Sequence, residues 1–261
     1  MKIREVVDAL ERFAPLPLQE DFDNAGLQVG LTEADMSGAL LCLDVTEAVV
    51  DEAIALGCNL IVAHHPLIFH RLSHIGDSTF VERCVMKAIQ AGVTIVAMHT
   101  NMDNARGGVN FKIAEKMELD DVDFFVRKEG MPVECGSGVM GTLRKPMCSC
   151  EFFEMLKLRF GVECIMANEP LERNIHKVAI CGGAGDFLLD DAIRAGADAF
   201  VTGEMHYHEF FDHEQQIQIA VIGHYESEQF TSEVFRDIIK GECPGAKCYI
   251  SRTYTNPIHY V

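Results

Sequence analysis

Residues 49–65, VVDEAIALGCNLIVAHH, align without a gap to residues 188–204, LLDDAIRAGADAFVTGE, and each stretch is preceded by a short apolar run. Around the first copy, ALLCLDV reads as a strand, TEAVVDEAIALG as a helix closed by Gly57, and NLIVAHH as the next strand. FVERCVMKAIQAG and VTIVAMH repeat helix and strand. Apolar runs rich in branched residues, alternating with longer stretches of helical period, imply an α/β fold. Such units ordinarily form a parallel sheet, and ligands gather where loops leave the carboxyl ends of its strands. His65 and His99 fall at such ends. The correspondence continues further on. VAMHTNMD (96–103) carries His99 and Asp103, while VIGHYESE (221–228) carries His224 and Glu228, so both halves end a strand with His-x-x-x-carboxylate.

The period is too long and the copies too few for a solenoid. The expectation is therefore two tandem, structurally related α/β domains with mostly parallel sheets flanked by helices. The join falls around residues 125–145, where RKEGMPVECGSGVMG loses helical periodicity and gains glycine. That places His64, His65 and Asp103 in a first domain, 1–127, and His224 and Glu228 in a second, 128–261, leaving the final segment able to return to the first.

Composition limits the function. A chain of 261 residues that is 48% hydrophobic can bury a substantial core. Its 40 acidic residues outweigh 22 basic ones, giving a formal charge of −18, which argues against nonspecific binding of DNA or anionic lipid. No apolar run approaches the roughly 20 residues of a membrane helix. The opening MKIREVVDALERF is amphipathic and charged rather than a signal peptide, so a soluble, cytoplasmic protein is expected. The ten cysteines are scattered through apolar segments and read as reduced core thiols. In CSC, Cys148 and Cys150 stand one residue apart with no second pair to complete a tetrahedral site.

Differences between the copies point to chemistry. Where the first has His64 and His65 the second has Gly203 and Glu204, so the fold does not require the histidines. Imidazole suits zinc, iron, nickel and similar ions, and Asp103 and Glu228 supply carboxylates able to bridge two of them. Adjacent histidines on an extended backbone point to opposite sides, which suits two ions better than one unless the strand has already ended. If Glu228 begins the helix EQFTSEVFRDIIKG, with Phe230, Val234, Phe235, Ile238 and Ile239 as its buried stripe, His224 lies just before it and can face the same cavity. Taken singly, each histidine is an ordinary hydrogen-bonded group; together with the strand-end placement they form a metal-binding pattern.

Other residues carry two readings each. His206, His208 and His213 in GEMHYHEFFDHE suit substrate contacts or proton shuttles, and equally a solvated acidic loop. CGGAGDF (181–187) has the strand-to-helix context of an anion cradle but not the spacing of a known phosphate loop, so a tight turn is the expectation. Asp23 and Asn24 in DNAGLQVG also read as a turn.

The chain resembles the NGG-interacting-factor-three-like family, whose members bear the name GTP cyclohydrolase 1 type 2 homologue. The resemblance runs through FDNAGLQVG (22–30), AHHPLIF (63–69), HTNMDNARGGVN (99–110), DAFVTGEMHYHE (198–209) and GHYESE (223–228), nearly the whole chain. It implies two similar α/β domains, a dinuclear metal centre in the cleft between them, and a toroidal homohexamer built from dimers. By that match His64, His65, Asp103, His224 and Glu228 are the ligands of two divalent ions (zinc, iron, manganese, nickel or similar), with Glu228 bridging. Beyond the match, His99, as the repeat counterpart of His224, is expected to stand behind the ligands or face a small-molecule substrate, as are Glu204 and His208. The implied activity is hydrolysis of a nucleotide or related metabolite, GTP among the candidates, by metal-bound hydroxide attacking C8 of guanine. A metal-dependent phosphoesterase and a non-catalytic regulatory or scaffold protein stay open as alternatives, since no basic cluster for a triphosphate is visible. Phe22 stands where the family often has tryptophan, a residue this chain lacks altogether. The length leaves no room for the domain some relatives insert between the halves, so the minimal form is expected.

Overall fold

The computed structural model describes residues 1–131 and 133–259. The chain divides into two compact units, Met1–Met102 with Thr231–Val261, and Asp103–Phe230. In chain order the elements are α1 (Ile3–Phe13), β1 (Gly26–Val29), β2 (Ala39–Cys42), α2 (Glu47–Ala55), β3 (Leu60–Ala63), α3 (Phe80–Ala91), β4 (Thr94–Ala97) and α4 (Thr100–Asp103). There follow α5 (Val109–Lys116), β5 (Asp120–Arg127), β6 (Gly136–Met147), α6 (Ser149–Phe160), β7 (Met166–Ala167), β8 (Ile175–Cys181), α7 (Leu189–Arg194), β9 (Ala199–Thr202), β10 (Gln218–Val221) and α8 (His224–Glu228). The chain then returns to the first unit with α9 (Thr231–Glu242) and β11 (Cys248–Ile250).

The division differs from a boundary near residue 127. The stretch that loses helical period is not a linker: β5 and β6 pair antiparallel and both belong to the second unit's sheet. Its glycines serve close approach between strands. A Cβ at Gly136 would stand 2.3 Å from the Val126 carbonyl oxygen.

In the first unit, the Thr46 hydroxyl accepts from the Val49 amide at 3.3 Å and starts α2, and Thr79 starts α3 in the same way. Gly92 closes α3 at φ +66°. The sheet has the order β1, β4, β3, β2, β11, and only the β1–β4 pairing is antiparallel. β2, β3 and β4 are buried along their whole length, as strands covered on both faces must be. Leu40, Ile61 and Ile95 pack with Val49, Val50, Val85 and Ala88 of the helices. The pairings set Cys42, Ala63 and Ala97 level, so three strands end together.

The second unit has a six-stranded sheet ordered β5, β6, β8, β9, β10, β7. Only β8–β9 and β9–β10 run parallel, so this sheet is mixed rather than mostly parallel. The reason is local: β5 and β6 are joined by a connection too short for a parallel crossover. The repeat is nevertheless visible in register. Ala39 faces Leu60 and Cys42 faces Ala63 in one unit; Val178 faces Ala199 and Cys181 faces Thr202 in the other. Leu60 and Ala63 are aligned with Ala199 and Thr202, and Ala39 and Cys42 stand at the same offset from Val178 and Cys181 in the apolar runs before them.

α9 buries Val234, Phe235, Ile238 and Ile239, the expected stripe, but starts at Thr231. Phe230 belongs to the second unit, where its ring lies 6.0 Å from that of Phe160. The described cysteines are all free thiols, yet Cys148, Cys150 and Cys164 are exposed rather than in the core. Cys148 precedes α6, where its amide donates to the Glu151 carboxylate at 3.1 Å. Among the described residues no helix is long and apolar enough to cross a membrane.

In the segment after β11, three successive residues are gripped by one side chain. The Glu52 carboxylate accepts from the Ser251 hydroxyl at 2.6 Å, the Arg252 amide at 2.9 Å and the Thr253 hydroxyl at 2.7 Å. Partial burial pushes its pKa up, and these hydrogen bonds outweigh that and hold it below the ordinary value. The grip is therefore complete above the ordinary glutamate range and is lost as pH falls through the lowered value. Glu52→Ala should release the segment at neutral pH, read as faster tryptic cleavage after the exposed Arg252. An unchanged cleavage rate would show that Glu52 does not hold it.

Candidate metal centre

The level ends of β2, β3 and β4 place Asp44, His64, His65 and His99 on neighbouring loops of the first unit. Because β3 stops at Ala63, strand alternation does not reach the histidines. Their rings converge instead, with centroids 4.9 Å apart, and each lies near the His99 ring, at 5.2 Å from His64 and 5.5 Å from His65. The opposed directions that an extended backbone would impose are absent, and that argument for two ions falls with them.

Each of the three rings has its Nδ1 held. His64 Nδ1 is 2.9 Å from the Met98 carbonyl, His65 Nδ1 is 2.7 Å from Asp44 Oδ1, and His99 Nδ1 is 2.7 Å from Asp23 Oδ1. Acceptors at Nδ1 fix the tautomer that carries its lone pair on Nε2, the arrangement common behind metal-ligating histidines. The candidate ligand atoms of His64, His65 and His99 all lie within 4.8 Å of one another. Burial pushes both carboxyls up, but the hydrogen bonds and charges around them win. Asp23, bonded by His99 and by the Thr100 amide and hydroxyl, is lowered to about 2; Asp44, bonded by His65 and Thr255, is lowered as well. Asp23 is thus more than a turn residue.

In the second unit Glu228 closes a short helix that His224 opens, so the pair is four residues apart on one face. His224 Nε2 lies 3.1 Å from Glu228 Oε2, and its Nδ1 is 2.9 Å from Glu204 Oε1. Glu204 therefore stands behind His224 as Asp44 stands behind His65. Glu228 is only 4% exposed, and a carboxylate oxygen of Asp103 lies within 4.8 Å of one of its own. CGGAGDF is the expected turn, and its three glycine amides are occupied: Gly182 N donates to Asn110 Oδ1, Gly183 N to the Ser227 hydroxyl and Gly185 N to the Thr202 hydroxyl. What the turn supplies is space. A Cβ on Gly183 would stand 2.4 Å from Glu228 Oε1, and one on Gly203 would stand 2.9 Å from the His224 Cα.

The remaining candidates lie elsewhere. His206 pairs with Asp186 at 2.7 Å, His208 stacks on Phe211, and His213 bonds Gln216; none joins a ligand group among the described residues. Beside them a cavity of about 510 Å³ is lined by Met166, Met205, Tyr207, Phe210 and Phe211, with Glu169 and Glu214, and by no lysine or arginine among the described residues. Phe22 is exposed, its ring 6.4 Å from that of Phe69. Sequence reading missed Asp44. Its position just past β2 was the available signal.

The donor sets fit divalent ions of borderline softness: neutral imidazoles in one unit, imidazole and carboxylate in the other. The family model described as Duf34/NIF3 (NGG1p interacting factor 3) matches residues 1–257. A "GTP cyclohydrolase 1 type 2 homolog" of Clostridium perfringens is 34% identical over 229 residues, covering 87% of each chain. One of Lactococcus lactis is 33% identical over 263 residues, covering 99% of each. Among solved structures, a Bacillus cereus protein related to NIF3 superposes with a TM-score of 0.91 at 24% identity, over 100% of this chain and 99% of that one.

Gly183→Ala tests the space that the turn provides. At φ +60° a side chain costs about 1–2 kcal/mol, and Gly196→Ala, at φ +74° with nothing within 4 Å, controls for that strain. In urea unfolding Gly183→Ala should destabilise more than the control. Equal losses would mean that Glu228 is not crowded.

Proposed function

The chain belongs to the Duf34/NIF3 family, and on that basis we propose that it is a metal-dependent hydrolase of a small metabolite, with His64, His65, Asp103, His224 and Glu228 holding two divalent ions. The observation that carries this reading is the set of three imidazoles whose Nδ1 atoms are each committed to a fixed acceptor. Orientation of that kind is wasted on histidines that merely fill a surface. Two ions held there would supply Lewis acidity and would lower the pKa of a water toward about 7.

The chain's own residues divide the remaining work. Asp44 and the Met98 carbonyl hold the His65 and His64 rings with Nε2 presented, and Glu204 does the same for His224. Asp23, ionised throughout the neutral range, holds the His99 ring at Nδ1 and so sets the direction of its Nε2. The cavity beside Tyr207 and Phe211 favours the flat, apolar part of a substrate over a phosphate. The names of the relatives suggest a nucleotide such as GTP.

Protein purified with metal should contain about two ions per chain by elemental analysis, and an Asp103→Ala, Glu228→Ala double variant should lose them. A double variant that retained both would overturn the ligand assignment. Metal-loaded protein should hydrolyse at least one member of a panel of nucleotides, amides and phosphoesters; inactivity throughout would favour a metal-binding scaffold.

A further inference from the structure

After β11 the chain runs on as SRTYT, residues 251–255, with burial alternating residue by residue. Ser251, Thr253 and Thr255 are partly buried, while Arg252 and Tyr254 are exposed. An extended segment turns alternate side chains to one side, so three hydroxyls share a face. Two of them bond Glu52 of α2, and the Ser251 amide donates to the Leu41 carbonyl at 2.8 Å, continuing the β11–β2 pairing. The third reaches farther. The Thr255 hydroxyl donates to Asp44 Oδ2 at 2.6 Å, while Asp44 Oδ1 is the atom that holds His65 Nδ1.

We infer that Thr255 is a positioning residue: the segment after β11 acts as a strap that delivers its hydroxyl to Asp44 and, through Asp44, sets the direction of the His65 ring. A carboxylate bonded at only one oxygen can swing about its Cβ–Cγ bond, whereas one bonded at both is fixed in plane. His65 then inherits its orientation from a residue far away in sequence. The strap is anchored at Glu52 of α2, so the coupling begins at a carboxylate other than Asp44. This inference rests on the proposal that His65 binds metal.

The test uses the full chain stripped of metal, with Zn2+ as the probe, titrated in competition with a chromophoric chelator. Removing a partner behind a ligand typically weakens binding about 10- to 100-fold, and Thr255, one bond further out, should cost about 3- to 10-fold when changed to valine. Thr255→Ser, which keeps the hydroxyl, should bind as the wild type does. Glu52→Ala, which loosens the strap without touching Asp44, should weaken binding in the same direction. Combined with Thr255→Val it should add little, because both changes break one chain of contacts. Equal affinity in Thr255→Val and wild type, failure of serine to rescue, or additive losses would each overturn the inference. Wild-type protein that binds no Zn2+ would instead overturn the metal assignment itself, and with it the role given to Thr255. A reading independent of metal is the His65 ring in long-range 1H–15N spectra of the stripped protein. It should show one tautomer in wild type and Thr255→Ser, and averaging of the two in Thr255→Val.

Discussion

Everything at the candidate centre of the first unit depends on register. Cys42, Ala63 and Ala97 are level across three parallel strands, so residues one or two positions beyond them emerge side by side. A slip of one residue between β2 and β3 would carry Asp44 away from His65 and exchange the side chains packed on the two buried faces. That register is secured by strands buried throughout, whose apolar faces allow no other pairing at comparable cost. The chemistry is thus placed by the core, and the loops need only deliver side chains across short distances.

The second unit keeps the register and inverts its use. Two residues past Cys42 stands Asp44, and two residues past Cys181 stands Gly183; where the first unit has His64 the second has Gly203. In one unit the strand ends fill the space with Asp44, His64 and His65. In the other, glycines leave it open, and α8 fills it with His224 and Glu228. Even the retained polar position changes role. His65 is a held ring, whereas its counterpart Glu204 is the carboxylate that holds one.

The strands and helices of the duplicated core were legible because burial on both faces writes continuous apolar runs, and because Thr46 and Gly57 punctuate them. The histidines were legible as departures from the repeat. The hairpin of β5 and β6 was not, since an antiparallel pair rich in glycine reads like a loop, nor was the short helix from His224, too brief for a period. Asp44 and Thr255 were hidden for a different reason. Their importance lies in a contact between residues distant in sequence, which no local pattern records.

The exchange between glycine and histidine at the strand ends also sorts donor atoms. The first unit offers imidazole nitrogen from three rings, and the second offers one ring with the carboxylates of Asp103 and Glu228. On its own, the nitrogen set would favour ions late in the first transition series, and the oxygen-bearing set would tolerate harder ones such as manganese or magnesium. Halves that differ at these positions present two kinds of donor set, which identical halves could not.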